Sequence, residues 1–148
     1  MPLKRRPATE EDKEFCFAVS RKTYEEVVTL QFGYWDDPWQ RARFEERWLP
    51  GKFEIIQFDN LPIGVLWADW RDDHRYLAEL QIIPQYQGRG FGSALIMQEQ
   101  EAAREKKVPL RLQVLKMNKA INLYKRLGFD IYAESDTHYQ MSWVPVIK

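Results

Sequence analysis

Apolar positions recur along the chain in two rhythms. Short runs in which they alternate or cluster, at residues 3–8, 53–58, 63–70, 76–84, 110–115, 129–133 and 139–143, read as strands. Between them lie stretches with apolar residues three and four apart. Thr9-Glu10-Glu11-Asp12 puts a hydroxyl at a cap and a carboxylate three residues later. It predicts a helix start, with Phe15, Ala18 and Val19 on one face and an end at about Leu30. Gln31-Phe32-Gly33-Tyr34-Trp35 then reads as an aromatic loop, and Asp37-Pro38 as the start of a second helix with an N-cap carboxylate and a first-turn proline. That helix carries Phe44 and Trp48 at i,i+4 and stops at Pro50-Gly51. Asp59-Asn60 marks a hairpin turn, Gly64 a bulge, and Arg71-Asp72-Asp73-His74-Arg75 a polar turn. A third helix runs to Lys107 with Phe91, Ala94, Leu95 and Ala102 on its buried face. Lys106 and Lys107 complement its negative end, and Pro109 bars continuation. A fourth follows Asn118, with Ala120, Leu123, Tyr124 and Leu127 on one stripe and Gly128 as its C-cap. The order is strand, two helices, three strands, helix, strand, helix, two strands. Residues 76–115 form a β-α-β unit, whose two strands are parallel neighbours.

Composition narrows the class. At 148 residues the expected organisation is one domain, 1–148, with a core of its own. Basic and acidic residues number 22 each, so no overall field draws nucleic acid or an anionic membrane, and neither is expected as a partner. Lys4-Arg5-Arg6 reads as a solvated strand edge. The one cysteine, Cys16, cannot form an intrachain disulfide; it reads as a small core residue and suits a reducing cytoplasm. No apolar run approaches the ~18 residues of a membrane span. His74 and His138 lie apart near turns and read as surface residues, so no metal is expected.

The distinctive stretch starts on the 76–84 strand. Pro84 ends that strand, and Gly88, Gly90 and Gly92 then allow a tight turn that runs straight into a helix. The unpaired N–H groups at such a helix start suit a phosphate or pyrophosphate. No Gly-Lys-Ser/Thr follows, so this is not a Walker A loop. The G-x-G-x-G spacing, without a paired acid on a second strand, is not the dinucleotide fingerprint either.

Gln87-Gly88-Arg89-Gly90-Phe91-Gly92, preceded by Ile82-Ile83-Pro84, resembles motif A, [Q/R]-x-x-G-x-[G/A], of the GCN5-related N-acetyltransferase (GNAT) superfamily. The string from Asn118 through Ala120, Leu123 and Tyr124 to Gly128-Phe129 resembles its motif B, and the element order matches over the whole chain. The resemblance implies an α/β (mixed α+β) fold: a central, mixed, mostly antiparallel sheet of about seven strands flanked by about four helices, with a splayed parallel pair at the cofactor site. It implies transfer of an acetyl group from acetyl-CoA to a primary amine of a small molecule or peptide, by a monomer or homodimer.

By the same resemblance, Gln87, Gly88, Arg89, Gly90, Phe91, Gly92 and Ser93 take the CoA pyrophosphate. The edge at Leu80, Gln81 and Ile82 takes the pantetheine arm, Asn118 touches the cofactor, and Tyr124 faces the thioester sulfur. Aminolysis of a thioester needs a neutral amine, an oxyanion stabiliser and a proton for the departing thiolate, which a tyrosine hydroxyl can supply. Glu79 is the best-placed carboxylate for a base, although alternation turns it to the face opposite Leu80 and Ile82. The family's glutamate, where present, stands three residues earlier, where this chain has Tyr76. Each residue has a plainer alternative: Tyr124 as core, Glu79 as a structural or orienting group, Asn118 as a helix cap. Tyr34 and Trp35, with Phe32 and Trp39, stand where the family builds its acceptor wall, or else they are core. Asp36 and Asp37 beside them favour a cationic amine. Two other readings compete: a non-catalytic acyl-CoA sensor on the same fold, disfavoured by Tyr124, and a nucleotide-binding enzyme of another fold, disfavoured by the missing motifs.

Overall fold

A computed structural model of the protein describes residues 3–146. Among them are seven strands: β1 (Leu3–Pro7), β2 (Glu54–Phe58), β3 (Leu61–Trp70), β4 (Arg75–Ile82), β5 (Leu110–Leu115), β6 (Asp130–Glu134) and β7 (His138–Trp143). The α-helices are α1 (Lys13–Phe32), α2 (Asp37–Trp48), α3 (Phe91–Glu105) and α4 (Ala120–Arg126). The strands form one mostly antiparallel sheet in the order β1-β2-β3-β4-β5-β7-β6, with β4 and β5 parallel. Among the described residues no helix is long and apolar enough to cross a membrane.

The chain forms two compact units, whose boundaries fall inside β3, inside β4 and after the first residue of α3. One takes in the described residues of Met1–Trp67 together with Glu79–Phe91. Its core is aromatic. Phe44 and Trp48 of α2 stack at 5.9 Å, and Phe53 lies 5.9 Å from Phe44 and 5.7 Å from Trp48. Cys16, Val19, Ile55 and Val65 fill in around them, so the cysteine is indeed a buried core residue. Arg5 and Arg6 are not merely solvated: Arg5 makes a two-point pair with Glu54, and Arg6 one with Asp12. Asp12 also accepts from the Thr9 backbone N–H at 2.8 Å, the expected helix-start carboxylate, here in a 3-10 turn.

Three helix expectations shift in this unit. Ala18 is exposed, and Cys16 takes its place on the buried face. α1 runs through Gln31 and Phe32 and ends on Gly33 at φ 94°, because the left-handed cap, rather than the aromatic run, stops it. The cap of α2 is Asp36, whose side chain accepts from the Trp39 N–H at 3.1 Å; Asp37 is already helical.

β2 and β3 join through Asp59 (φ 51°) and Asn60 (φ 65°), a two-residue turn with both positions left-handed. The register then slips: Ile56 faces Gly64 and Gln57 faces Pro62, leaving Ile63 as the extra residue of a bulge. Gly64 is required by contact, since a Cβ there would lie 2.2 Å from the Gln81 carbonyl oxygen.

The other unit takes in Ala68–Ala78 and the described residues of Gly92–Lys148. Here β4 and β5 pair in parallel at Arg75↔Leu110, Tyr76↔Arg111 and Leu77↔Leu112, as the β-α-β reading requires. β7 pairs antiparallel with β5 along its whole length. α3 buries Leu95, Ile96 and Ala103 together with Glu99 and Gln100, whereas Ala94 is exposed. Phe91 and Leu95 are buried as expected, while Ile96 and Ala103 rather than Ala94 and Ala102 complete the buried stripe. It includes two polar residues that find partners: Glu99 accepts from Arg75 at 2.7 Å, and Gln100 donates to the Leu127 carbonyl at 2.8 Å. α3 stops at Glu105, short of Lys107, which turns left-handed at φ 59°. α4 closes on a Schellman motif. The Phe129 N–H donates to the Tyr124 carbonyl, the Gly128 N–H to that of Lys125, and the Phe129 ring meets Tyr124 edge-on at 5.8 Å.

Candidate active site

β4 ends at Ile82, and Pro84–Tyr86 forms a 3-10 turn before the glycines. The Ile83 N–H donates to the Ile63 carbonyl at 2.9 Å, so the strand end is fastened to β3 at the bulge. The Gln87 side chain then reaches back to donate to the Ile82 carbonyl at 2.8 Å. Through that contact the motif glutamine folds the turn onto the strand that precedes it. Phe91 anchors the far side, buried against Phe58 at 4.8 Å. Between these anchors Gly88 (φ 77°) and Gly90 (φ 84°) are left-handed, a conformation that L side chains rarely adopt. Nothing lies within 4 Å of where a Cβ would stand at either one. The N–H groups of Gly88, Arg89 and Gly90 donate to no backbone carbonyl among the described residues, and all three residues are exposed. Arg89 lies over the Tyr86 ring at 4.9 Å. The result is an exposed turn that leads into α3, where Gly92 and Ser93 are half-buried.

On β4, Gln81 and Ile82 are buried and Leu80 is half-buried. The parallel ladder with β5 reaches only Leu77, while β4 continues to Ile82 and β5 to Leu115. Glu79 and Gln81 share the face expected from alternation, and the Gln81 amide donates to Glu79 Oε2 at 2.6 Å. The other Glu79 oxygen pairs with Arg47 of α2 at 2.6 Å, and the Tyr24 hydroxyl of α1 donates to Oε2 at 3.5 Å. Arg47 in turn lies over the Trp67 ring at 4.9 Å. Burial pushes the Glu79 carboxyl above its ordinary range, opposed by the charges of Arg47 and Arg43 and by the Tyr24 hydroxyl. Arg47, Tyr24 and Trp67 could not be picked from the sequence, because 55 residues separate Tyr24 from Glu79. The one available signal was that Trp39, Arg43 and Arg47 recur every fourth residue on α2, making a cationic stripe beside its apolar face.

Asn118 precedes α4 and its Oδ1 accepts from the Ala120 N–H at 2.9 Å, so it does cap the turn. Tyr124 is half-buried on α4 and packs on Phe129. In the loop between α1 and α2, Tyr34 is exposed, whereas Trp35 is tied down, donating from Nε1 to Asp37 at 2.9 Å. Neither aromatic is among the hydrogen-bond or ion-pair partners of Glu79.

Residues 20–129 match the family model described as the acetyltransferase (GNAT) family. The chain belongs to this family. It is 38% identical over 73 residues to a thialysine N-epsilon-acetyltransferase of Mus musculus, covering 48% of this chain and 43% of that protein. The same enzyme of Bos taurus matches at 38% over 72 residues, covering 47% of this chain and 42% of that one. The chain thus spans under half the length of these curated relatives. Among solved structures, the PaiA N-acetyltransferase of Thermoplasma acidophilum in complex with coenzyme A superposes with a TM-score of 0.80 at 18% identity, over 98% of this chain and all of that one. An acetyltransferase from Thermus thermophilus gives 0.74 at 19%, over 98% of both chains. At those identities the likeness concerns the fold, and the GNAT sheet with its single parallel pair is what this chain shares with them.

Proposed function

We propose that this GNAT chain transfers an acetyl group from acetyl-CoA to a primary amine of a small molecule or protein, by direct attack within a ternary complex. The observation that carries this reading is the turn at 87–90. Among the described residues its exposed N–H groups have no backbone acceptor, its two left-handed glycines keep side chains away, and Gln87 and Phe91 tie it to its neighbours. A pyrophosphate supplies the acceptors those donors lack. The edge of β4 at Leu80, Gln81 and Ile82 receives the pantetheine arm as an added strand. Asn118 uses its carbonyl oxygen as a cap and keeps its amide donors for the cofactor.

Acetyl-CoA supplies the activated thioester; the chain orients the reactants and handles protons. Tyr124 protonates the departing thiolate. Glu79, with both oxygens already engaged, orients the acceptor side, and the amine proton leaves through water. Tyr34 and Trp35 form the acceptor wall. Free-thiol release from acetyl-CoA with a panel of primary amines, thialysine among them, tests the reaction. Acetyl-CoA raises the melting temperature of the wild-type protein by mass action, and Gly90→Asp abolishes that rise by placing a side chain and a negative charge in the turn. Binding without thiol release to any amine overturns the catalytic reading, and a folded Gly90→Asp with unchanged affinity overturns the phosphate assignment.

A further inference from the structure

Gln81 is 5% exposed, and its Oε1 is a buried oxygen with no hydrogen-bond partner among the described residues. The other end of the amide fixes which atom is which. Nε2 donates to Glu79 Oε2 at 2.6 Å, where an oxygen would meet the carboxylate with like charge. Glu79 is in turn held by Arg47 of α2 and by the Tyr24 hydroxyl of α1, so the side chains of Glu79 and Gln81 lie on the face of β4 that turns towards these helices. Oε1 is therefore an acceptor with two lone pairs, out of water and unanswered. Such an atom is destabilising unless a ligand brings the donor it lacks. Leu80 and Ile82 turn their side chains the other way and share with Gln81 the strand edge assigned above to the pantetheine arm.

We propose that Gln81 Oε1 accepts an N–H of the acceptor amine and so sets a preference for primary over N-alkylated amines. This deepens the acetyl-transfer reading above and rests on it. Two ligand groups carry a suitable donor: the amine, and the amides of the pantetheine arm. An arm that adds as a strand lies in the plane of the sheet and meets backbone groups there. The Gln81 side chain stands out of that plane, beside Glu79, so the amine is the donor that reaches it. Oε1 is shielded from solvent, and the soft terminal torsion of a glutamine lets it tilt towards an incoming N–H. A neutral carbonyl also suits the chemistry. A carboxylate in its place would favour the ammonium form, which has no lone pair, whereas an amide oxygen orients an N–H and leaves the lone pair free to attack. As the C–N bond forms and the C–S bond breaks, one amine proton leaves through water and the thiolate takes a proton from Tyr124. The other N–H of a primary amine stays on Gln81 Oε1 and becomes the amide N–H of the product. A secondary amine has a single N–H and must give it up, which leaves Oε1 buried and unpaired.

The test is steady-state acetylation of each panel amine that the enzyme accepts, paired with its N-monomethyl counterpart. The wild-type protein prefers the primary member of each pair in kcat/KM by about ten- to hundredfold. Gln81→Met keeps the length and burial of the side chain, removes the acceptor and lowers that ratio about tenfold. Loss of the Nε2 bond to Glu79 slows both members alike and cancels in the ratio. Gln81→Glu, close to isosteric and still carrying an oxygen, recovers part of the preference. KM for acetyl-CoA stays near its wild-type value in both variants, and circular dichroism verifies that they fold. A folded Gln81→Met with an unchanged ratio assigns the oxygen to water or packing and overturns the proposal. A rise in the acetyl-CoA KM alone moves the donor to the pantetheine arm and overturns it too. A wild-type protein that uses N-methyl amines as well as primary ones does so without any variant. Each of these leaves acetyl transfer intact. If no amine is acetylated although acetyl-CoA still raises the melting temperature, the transfer reading fails and this one with it.

Discussion

At the scale of single residues, Tyr124 serves both packing and the proposed chemistry, and one atom separates the two. Its ring supplies the hydrophobic contact of the Schellman motif against Phe129, and its carbonyl accepts from the Phe129 N–H. Tyr124→Phe keeps the ring and the backbone bond and removes only the hydroxyl. General acids contribute about 10²–10⁴-fold in rate. We expect a kcat loss at the low end of that range, since a thiolate is a fair leaving group at neutral pH, with the acetyl-CoA KM and the melting temperature little changed. A folded variant with half or more of the wild-type kcat would assign the residue to packing. Glu79 shows the reverse balance. Its position on the signature strand was legible, but its partners Arg47 and Tyr24 were not.

At the scale of elements, the glycines divide by the reason they are glycine. Gly33 closes α1 at φ 94° with nothing within 4 Å of a Cβ, so Gly33→Ala carries only the left-handed strain, about 1–2 kcal/mol. Gly64 has an ordinary φ, but β3 there approaches β4 so closely that a Cβ would meet backbone oxygen at 2.2 Å. Backbone cannot step aside as a flexible side chain can. Gly64→Ala is expected to cost about 3 kcal/mol or more, the upper range of overpacking. Urea denaturation of the two variants checks the order, and a smaller loss at Gly64 than at Gly33 would show that β3 and β4 can separate locally. The sequence marked Gly64 as a bulge residue. The bulge is real, but its extra residue is Ile63, and the constraint on Gly64 comes from a strand 17 residues away.

For the molecule as a whole, acid stability follows from where its carboxylates sit. Hydrogen bonding to Arg6 holds the Asp12 carboxyl down at about 2, from an ordinary 3.8. The folded state therefore releases this proton more readily than the unfolded state. The stabilisation is complete above the unfolded value and disappears as pH falls from about 4 through about 2. Glu14, Glu45 and Asp73 are shifted the same way by Arg41, Lys13 and His74, but they lie at the exposed surface, where solvent screens the effect. Glu79, raised by burial, acts with the opposite sign: protonation favours the folded state. Thermal melts between pH 5 and pH 2 should show a fall that Asp12→Asn flattens, because the amide has no proton to gain. An unchanged acid limb in that variant would place the sensitivity elsewhere.

What the sequence determined by itself was local. Glycine and proline punctuation, the Asp59-Asn60 turn, the helix starts and both family motifs depend on residues within a few positions of each other, and their backbone preferences hold in any context. The seven strands, four helices and parallel β4–β5 pair were therefore legible, as was the family. Element ends were less so, because a cap one residue away decides them, as at Gly33 and Asp36. Tertiary structure alone decided which faces are buried and which charges are left over. Glu99 and Gln100 lie inside because Arg75 and the Leu127 carbonyl receive them, while Ala18 and Ala94 face out. Glu79 looks like a free carboxylate in the sequence, yet Arg47 and Tyr24, partners that only folding delivers, hold it. Net local charge is a sum over neighbours distant in sequence, and only the folded chain brings those neighbours together.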